Sequence, residues 1–386
     1  MPSPSFVDVE AELHAAAVKM TGGLTDFGAP DYLTGLRQLL SAYDTDPQLS
    51  SLGREFAMGG IVTTLAARLR AERGWHERPE CLRTPIRAPL VITGIPRTGT
   101  TALHKLLSMD PQFQGLEHWL AEAPMVRPAR ASWPSQPAYQ ASVAALEAYF
   151  QMMPEMRKAH DMVADEVEEC LDVLRQSFVS NRFGASTYIP SYDRWFLAQD
   201  EQASYRRYAD VLRLIGADET DKRWLLKNPG HVAQMQCLLA VFPDALIVQT
   251  HRDPVKAIAS LCSTLHMARR MFEGDAARAE VLGARECAYW QRAVDCTDQL
   301  RAARPGQFFD VDHRRFHSDP LGTIRALYAH FGLRLDQVAL GRMQRWIDDS
   351  PTTRHGEHRY RLADYGVSEQ QVRDRFAAYR ARHALH

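Results

Sequence analysis

The stretch "GIPRTGTT", from Gly94 to Thr101, combines residue types that bind phosphate groups. Its two glycines allow a tight turn and a close approach of the backbone to a ligand. The nucleoside-triphosphate form of such a loop carries a lysine directly after the second glycine. Thr100 occupies that position here, and Arg97 lies three residues earlier. The stretch therefore predicts a phosphate- or sulfate-binding turn whose positive charge comes from Arg97.

Two further polar stretches follow apolar runs. In "HRDPVKAIAS", Arg252 follows a predicted strand, and Ser260 lies eight residues later on a predicted helix. Arg252 suits a second phosphate group, although an ion pair with Asp253 is the alternative. A hydrogen bond to its own helical turn is the alternative for Ser260. The stretch "KNPGH", which begins at Lys227, follows another short strand.

The elements that position these stretches alternate between strands and helices. The predicted strands are "PLVITGI", "WLLK", "DALIVQTH" and "QFFDVDH", and helical patterns separate them. Such alternation predicts a parallel sheet covered by helices on both faces, with ligands at the carboxyl ends of the strands. We therefore predict an α/β domain over residues 86–386, with a P-loop-like turn, and a helical N-terminal cap over residues 1–85.

Composition limits the class of protein. A net charge of -1 and an isoelectric point near 7.0 argue against nucleic acid as the main partner. The six cysteines form no CxxC pair, which argues against a zinc or thiol redox site. The N-terminus lacks the pattern of a secretory signal, and no apolar run reaches the ~18 residues that span a bilayer. We therefore expect a cytoplasmic enzyme without an integral membrane segment.

"PRTGTT" followed by "HRDP…S" resembles the two motifs with which sulfotransferases bind 3′-phosphoadenylyl sulfate (PAPS), and the bacterial branch in particular. The resemblance covers about residues 85–380. It implies that Arg97 stabilises the leaving 5′-phosphate and that Lys227 helps to neutralise the transferring sulfonate, with no metal. It also implies that Arg252 and Ser260 hold the 3′-phosphate. The 5′-phosphate would be bound by the loop residues Pro96, Arg97, Thr98, Gly99, Thr100 and Thr101.

The chain departs from the cytosolic members of that family at three places. Ala102 stands where they carry an adenine-stacking Trp, and His313 stands where they carry an adenine-side Tyr. Their C-terminal Arg-Lys-Gly clamp is not evident. The stretch "RHGEHRYRLADYG" occupies a similar place, so Arg354, Arg359 and Tyr360 are its candidate substitutes.

Sulfonyl transfer to an alcohol also needs a group that removes the acceptor proton. In the cytosolic relatives this group is a His about sixty residues beyond the phosphate loop, which here corresponds to "KAHDMVADEVEEC". The resemblance makes His160 the first candidate, with Asp165, Glu166 and Glu169 as carboxylate alternatives. The other interpretation is that His160 lies on the surface and that the acidic residues only begin a helix over "DEVEECLDVLRQSFVSN".

We expect the acceptor to be a small hydrophobic alcohol, a phenol or a lipid hydroxyl. The predicted pocket lies between a Pro-rich loop or lid near residues 124–140, the acidic segment and the helix after Ser260. Two other classes stay open, namely a P-loop kinase and a nucleotide binder without catalytic activity. The apolar residues that would line the pocket, or else form core, are Trp119, Met152, Met153, Phe178, Tyr188, Met267, Met271 and Phe272.

Overall fold

A computed structural model describes residues 4–349 and 360–385, which form two compact units. The helical unit comprises the residues up to Pro85 together with Leu116–Thr220 and Thr264–Arg278. The sheet unit comprises Ile86–Gly115, Asp221–Ser263 and the residues from Ala279 onwards. Residue 85 ends the first segment of the helical unit, and two later segments, Leu116–Thr220 and Thr264–Arg278, group with that segment.

The sheet unit contains five parallel strands within the described residues. Their order across the sheet is β2-β3-β1-β4-β5, and every residue of the central strand β1 is buried. Short apolar runs form such strands because both faces of the sheet are covered by other elements. The predicted parallel α/β fold is confirmed, and the short β2 is an addition to it. The strands are β1 Leu90–Gly94, β2 Phe113–Gly115, β3 Arg223–Lys227, β4 Leu246–His251 and β5 Phe308–Asp312.

The register of the sheet brings the polar stretches to one edge. Gly94 at the end of β1 pairs with Thr250 of β4, and the next residue, His251, pairs with Asp312 at the end of β5. Lys227 at the end of β3 pairs with Ile92 of β1. The three predicted ligand-binding stretches therefore begin side by side at the carboxyl edge.

The core of the sheet unit packs helices against β1 and its neighbours. Leu103, Leu106 and Leu107 lie on one side of the helix after the phosphate loop and are fully buried. Each leucine of this kind stabilises the fold by about 1.5–3 kcal/mol relative to an exposed one. The helices of the sheet unit are Thr100–Leu107, Met235–Val241, Leu282–Ala302, His313–Ser318, Pro320–Phe331, Gln337–Asp349, Glu369–Arg375 and Ala377–Arg382, with 3-10 turns Pro229–Val232, Ala279–Val281 and Leu362–Tyr365. Helix Pro254–Glu273 begins in the sheet unit, and its residues from Thr264 onwards group with the helical unit.

Buried charges hold together segments of the helical unit. Arg68 is buried and donates hydrogen bonds to the carbonyl oxygens of Gln176, Phe27 and Ala29. Burial lowers the pKa of Arg68 to about 9. The helices are Glu10–Met20, Tyr32–Thr45, Ser51–Glu77, His118–Glu122, Pro137–Met152, Pro154–Ala159, Leu171–Leu174, Asn181–Ser186, Pro190–Phe196 and Gln202–Ile215, with 3-10 turns Pro79–Arg83, Arg130–Ser135, Arg175–Ser177 and Gly274–Ala276.

No described helix of either unit is both long enough and apolar enough to cross a membrane.

Two predictions of local structure were wrong. The helix over residues 165–181 is replaced by a β-bridge between Glu117 and Val167, and helix forms only at Leu171–Leu174 with a following 3-10 turn. The backbone N–H of Glu168 is bonded to the Leu116 carbonyl oxygen, so a long-range pairing prevails over local helical spacing. The Pro-rich segment 124–140 is also partly regular. It includes a 3-10 turn around the buried Trp133 and the start of helix Pro137–Met152.

Candidate active site

The phosphate loop joins β1 to helix Thr100–Leu107 through left-handed backbone. Arg97 has a φ angle of 69° and Gly99 one of 94°. Alternation of this kind is typical of nests, in which successive N–H groups point into one concavity and bind an anion. Gly99 precedes the helix, whose first turn carries no acidic residue. The loop is therefore suited to an anion with several oxygens.

The glycines of this loop are required by its geometry. Gly94 has a φ angle of 140°, and a Cβ atom placed on it would lie 2.5 Å from the Thr250 carbonyl oxygen. A Cβ atom on Gly99 would lie 3.4 Å from Cδ2 of His313. The Thr98 hydroxyl donates to the Ile95 carbonyl oxygen at 2.6 Å and lies 2.5 Å from the Thr250 hydroxyl. That hydroxyl thus fixes the loop to β4, a structural role that its sequence position did not suggest.

The two predicted phosphate motifs contact each other directly. Nε of Arg97 donates to the Ser260 hydroxyl at 3.1 Å. Nη1 of Arg252 donates to the Arg97 carbonyl oxygen at 2.9 Å. Burial and the neighbouring Arg97 guanidinium lower the pKa of Arg252. The first bond spans 163 positions of the sequence and the second spans 155, and together they join the two motifs in one cationic cluster.

The alternative interpretation of Arg252, an ion pair with Asp253, is not what is observed. Asp253 pairs instead with Arg380, whose Nε lies 3.3 Å away. Within residues 4–349 and 360–385, no carboxylate forms an ion pair with Arg252. His251 is buried, and its ring forms hydrogen bonds with Tyr379 and Asp310 at the end of β4.

Lys227 adds a second cation to the loop. Its side chain is 1% exposed. The ammonium group lies 3.5 Å from the Thr101 hydroxyl, in the first turn of the helix that follows the loop. Close by in sequence, His231 is fully buried, and burial lowers its pKa to about 3. His231 is therefore neutral at physiological pH.

The predicted base segment belongs to the helical unit. His160 is partly buried, and its Nε2 lies 3.5 Å from Oε1 of Glu168. Glu168 is itself buried and accepts the backbone N–H of Glu169 at 2.8 Å. Asp165 forms an ion pair of 3.2 Å with the exposed Arg130. Sequence reasoning missed Glu168 because nothing local distinguishes it from its acidic neighbours.

Several residues predicted to line an acceptor pocket are core residues. Trp119 is fully buried and packs edge to face against Trp133, with ring centroids 5.5 Å apart. Phe178 is fully buried and stacks on Phe183. Met152, in contrast, is 47% exposed. The remaining residues of that set are partly buried, namely Met153, Tyr188, Met267, Met271 and Phe272.

Of the candidate substitutes for the C-terminal clamp, only Tyr360 lies within the described residues. It is partly buried, and its charge interaction reaches Arg252. Arg354 and Arg359 lie outside the described residues.

A parallel sheet with a glycine-rich anion loop after its central strand defines a P-loop-like phosphate- or sulfate-binding protein. Comparison with known proteins identifies which one. The sulfotransferase family model matches residues 89–337, which is more than half of the chain. This chain belongs to the sulfotransferase family, and it is an enzyme of the transferase class.

Its relatives are bacterial sulfotransferases. The crystal structure of sulfotransferase STF1 from Mycobacterium tuberculosis H37Rv is 38% identical, covers 97% of this chain and 100% of its own, and has a TM-score of 0.86. The structure of STF9 from Mycobacterium avium shares the fold at a TM-score of 0.90, with 24% identity over 100% of this chain and 98% of its own. Omega-hydroxy-beta-dihydromenaquinone-9 sulfotransferase Stf3 from Mycobacterium bovis is 24% identical over 297 residues, 74% of this chain and 72% of the relative.

Proposed function

We propose that this sulfotransferase uses PAPS as its donor and transfers the sulfonate group to a hydroxyl of a hydrophobic acceptor. The products would be adenosine 3′,5′-bisphosphate and a sulfate ester. The observation that carries the proposal is the contact between the two predicted phosphate motifs, through the bonds from Arg97 to Ser260 and from Arg252 to Arg97. A donor with phosphates at both its 5′ and 3′ positions fits such a joined pair of cationic sites.

The residues of the loop have distinct roles in this proposal. When bound, PAPS supplies an activated sulfonate and a phosphate leaving group. The backbone N–H groups around Gly99 bind and orient the 5′-phosphate. Arg97 and Lys227 stabilise negative charge that develops during transfer, because fixed positive charge in a partly buried site is worth more than in water. No step requires a metal.

The relative Stf3 supports the hydrophobic acceptor. Its name describes a hydroxylated menaquinone derivative as its substrate. Large and small apolar alcohols have the same reacting group and differ in the apolar area that binding buries. We propose that this chain accepts an apolar alcohol or lipid hydroxyl of this kind.

The test of the donor compares ligands that differ in the 3′-phosphate. A ligand present at a hundred times its Kd should stabilise the folded protein by ~2.7 kcal/mol. We expect adenosine 3′,5′-bisphosphate to raise the Tm, whereas ATP or GTP with Mg²⁺ leaves it unchanged. Arg252→Ala should abolish the shift with the bisphosphate. Stabilisation by ATP or GTP with Mg²⁺ alone would contradict the donor assignment.

A P-loop kinase does not agree with the family to which the chain belongs, and two positions of the chain argue against it as well. Thr100 replaces the lysine of the triphosphate loop, and Asp253, the nearest match to a Mg²⁺-holding carboxylate, pairs with Arg380. The family membership of the chain also disfavours a nucleotide binder without catalytic activity. Turnover tests the proposed acceptor class, and absence of sulfonation of every member of an alcohol and phenol panel would contradict that class.

The catalytic base is also a proposal, with His160 as the first candidate. His160→Gln is expected to lower kcat by about 10²–10⁴-fold, the usual contribution of general base catalysis, and to leave the bisphosphate Kd unchanged. Glu168→Gln tests whether the carboxylate beside His160 contributes to turnover, since Oε1 of Glu168 lies 3.5 Å from Nε2 of His160. The measurement is steady-state kinetics across pH with one acceptor.

Asp165→Asn, Glu166→Gln and Glu169→Gln form the comparison set for His160. Asp165 already pairs with an exposed arginine, so we expect its change to alter kcat by less than about threefold. A carboxylate variant that loses more activity than His160→Gln would transfer the role of base to that carboxylate. If kcat were unchanged in His160→Gln and in these three carboxylate variants, the catalytic base would be none of these four residues.

A further inference from the structure

A cationic pocket of about 200 Å³ lies in the sheet unit at the carboxyl ends of β4 and β5. Its lining includes Arg252, which directly follows β4, Lys256 in the first turn of helix Pro254–Glu273, and His313 and Arg314, which follow β5. Ser260, predicted from the family resemblance to hold the 3′-phosphate, is not among the lining residues and bonds instead to Arg97.

The acidic residues of the pocket are already neutralised by other partners. Asp253 pairs with Arg380 at 3.3 Å, and Asp312 pairs with Arg314 at 2.9 Å. The Asp312 carboxylate also accepts the backbone N–H of Arg314 at 2.7 Å. Over the described part of the chain, neither Arg252 nor Lys256 has an ion-pair partner. Two positive charges therefore face the pocket in excess, which favours an anionic ligand.

His313 lies between this pocket and the phosphate loop. Its Cδ2 is the nearest atom to the position that a Cβ on Gly99 would occupy, at 3.4 Å. Its Nε2 lies 3.1 Å from Nε2 of His317, one helical turn later. In a hydrogen bond at this distance one ring nitrogen donates its proton and the other accepts it.

The surroundings favour the neutral form of both rings in the protein alone. Burial and the positive charges of Arg252, His317 and Lys256 lower the pKa of His313 to about 3, although Asp312 acts in the opposite direction. Burial and Arg252 also lower the pKa of His317. A phosphate dianion in the pocket would offset the charges of Arg252 and Lys256. The same dianion would raise the pKa of His313, because an opposite charge nearby favours the charged form.

We propose that His313 is a nucleotide-binding residue, which takes up one proton from solvent and, as an imidazolium, binds a phosphomonoester of the donor nucleotide in this pocket with Lys256 and Arg252. The inference rests on the proposed donor, and it adds His313 and Lys256 to the residues that recognise the 3′-phosphate. His317 is a positioning residue that holds the His313 ring through the hydrogen bond between the two Nε2 atoms.

The sign of the pH dependence follows from the direction of this pKa change. A group whose pKa is higher in the complex than in the free protein gains protons on binding, so affinity rises as pH falls through its pKa in the complex. The phosphomonoester has its own second pKa near 6. That ionisation is common to all protein variants, so the comparison between variants isolates the contribution of His313.

The experiment is calorimetric titration with adenosine 3′,5′-bisphosphate in two buffers of different ionisation enthalpy, over about pH 5.5 to 8. We expect the wild type to take up more protons per bound bisphosphate than His313→Gln. The Kd ratio of His313→Gln to wild type should be at least about threefold larger at the low end of this range. His330→Gln, at an exposed histidine on helix Pro320–Phe331, is the matched control and should follow the wild type.

Lys256→Gln keeps the proposal testable if His313→Gln does not fold, because Lys256 is exposed. It should weaken binding of adenosine 3′,5′-bisphosphate and leave binding of adenosine 5′-monophosphate unchanged. If Lys256→Gln lost the same factor of affinity for both nucleotides, the assignment of the pocket would be wrong. If wild type and His313→Gln took up the same number of protons, the assignment of His313 would be wrong. Neither result would contradict PAPS as the donor. Absence of bisphosphate binding to the wild type would instead contradict the donor itself.

Discussion

Arg97→Ala is expected to lower kcat by about 10²–10³-fold, which corresponds to ~2.7–4 kcal/mol of lost charge stabilisation. The guanidinium lies in the phosphate loop, and its Nε is held by the Ser260 hydroxyl at 3.1 Å. Ala retains a Cβ atom, so the left-handed backbone at φ 69° carries the same constraint in both proteins. Single-turnover kinetics with saturating donor measures the change in the transfer step.

Two variants separate the charge of Arg97 from its position. Arg97→Lys keeps a positive charge but loses the planar group that reaches Ser260, and it should retain more activity than Ala. Ser260→Ala removes the hydrogen-bond acceptor and leaves the charge, so a loss of about tenfold or less is expected. If Arg97→Ala weakened donor binding and left the single-turnover rate unchanged, Arg97 would bind the ground state and the proposed role would be wrong.

The central part of the fold could be predicted from the sequence because its strands are strongly marked. β1, β3, β4 and β5 are apolar runs that end in polar stretches, whereas β2 has three residues and too little pattern to be distinguished. The phosphate loop could also be predicted from a local pattern. Its residues are consecutive, and their types alone indicate a turn that approaches an anion.

The base segment could not be predicted from local pattern. Its acidic and apolar residues have helical spacing, yet the N–H of His118 bonds to the Glu166 carbonyl oxygen, and Glu117 pairs with Val167. These partners lie about fifty residues apart in sequence. Periodicity describes one element at a time, so it gives no indication of such a pairing.

The cationic pocket illustrates a second limit. Lys256 and His313 belong to different elements and lie on one pocket because β4 and β5 are neighbours with His251 opposite Asp312. The sequence identified Arg252 through its motif and His313 through a departure from the family pattern. The neutralisation of Asp253 by Arg380 depends on where the C-terminal helices pack, which no local motif specifies.

Lys227→Met should lower kcat by about 10²-fold or more, because it removes a positive charge that lies next to the loop in a nearly water-free position. The ammonium group is 3.5 Å from the Thr101 hydroxyl, and the side chain is 1% exposed. Met preserves the unbranched apolar stem, so the fold should be retained. Steady-state kinetics and a urea unfolding curve on the same preparations measure activity and stability separately.

Lys222→Met is the matched control, because Lys222 precedes the amino end of β3 and Lys227 ends the same strand. Only the change at the carboxyl end should affect turnover. A double-mutant cycle with Thr101→Val then measures whether the ammonium acts through the loop. Strong coupling places the charge of Lys227 in the transfer step, since the hydroxyl and the ammonium would face the same oxygen atoms. If neither Lys227→Met nor Thr101→Val changed kcat, Lys227 would have only a structural role at the end of β3.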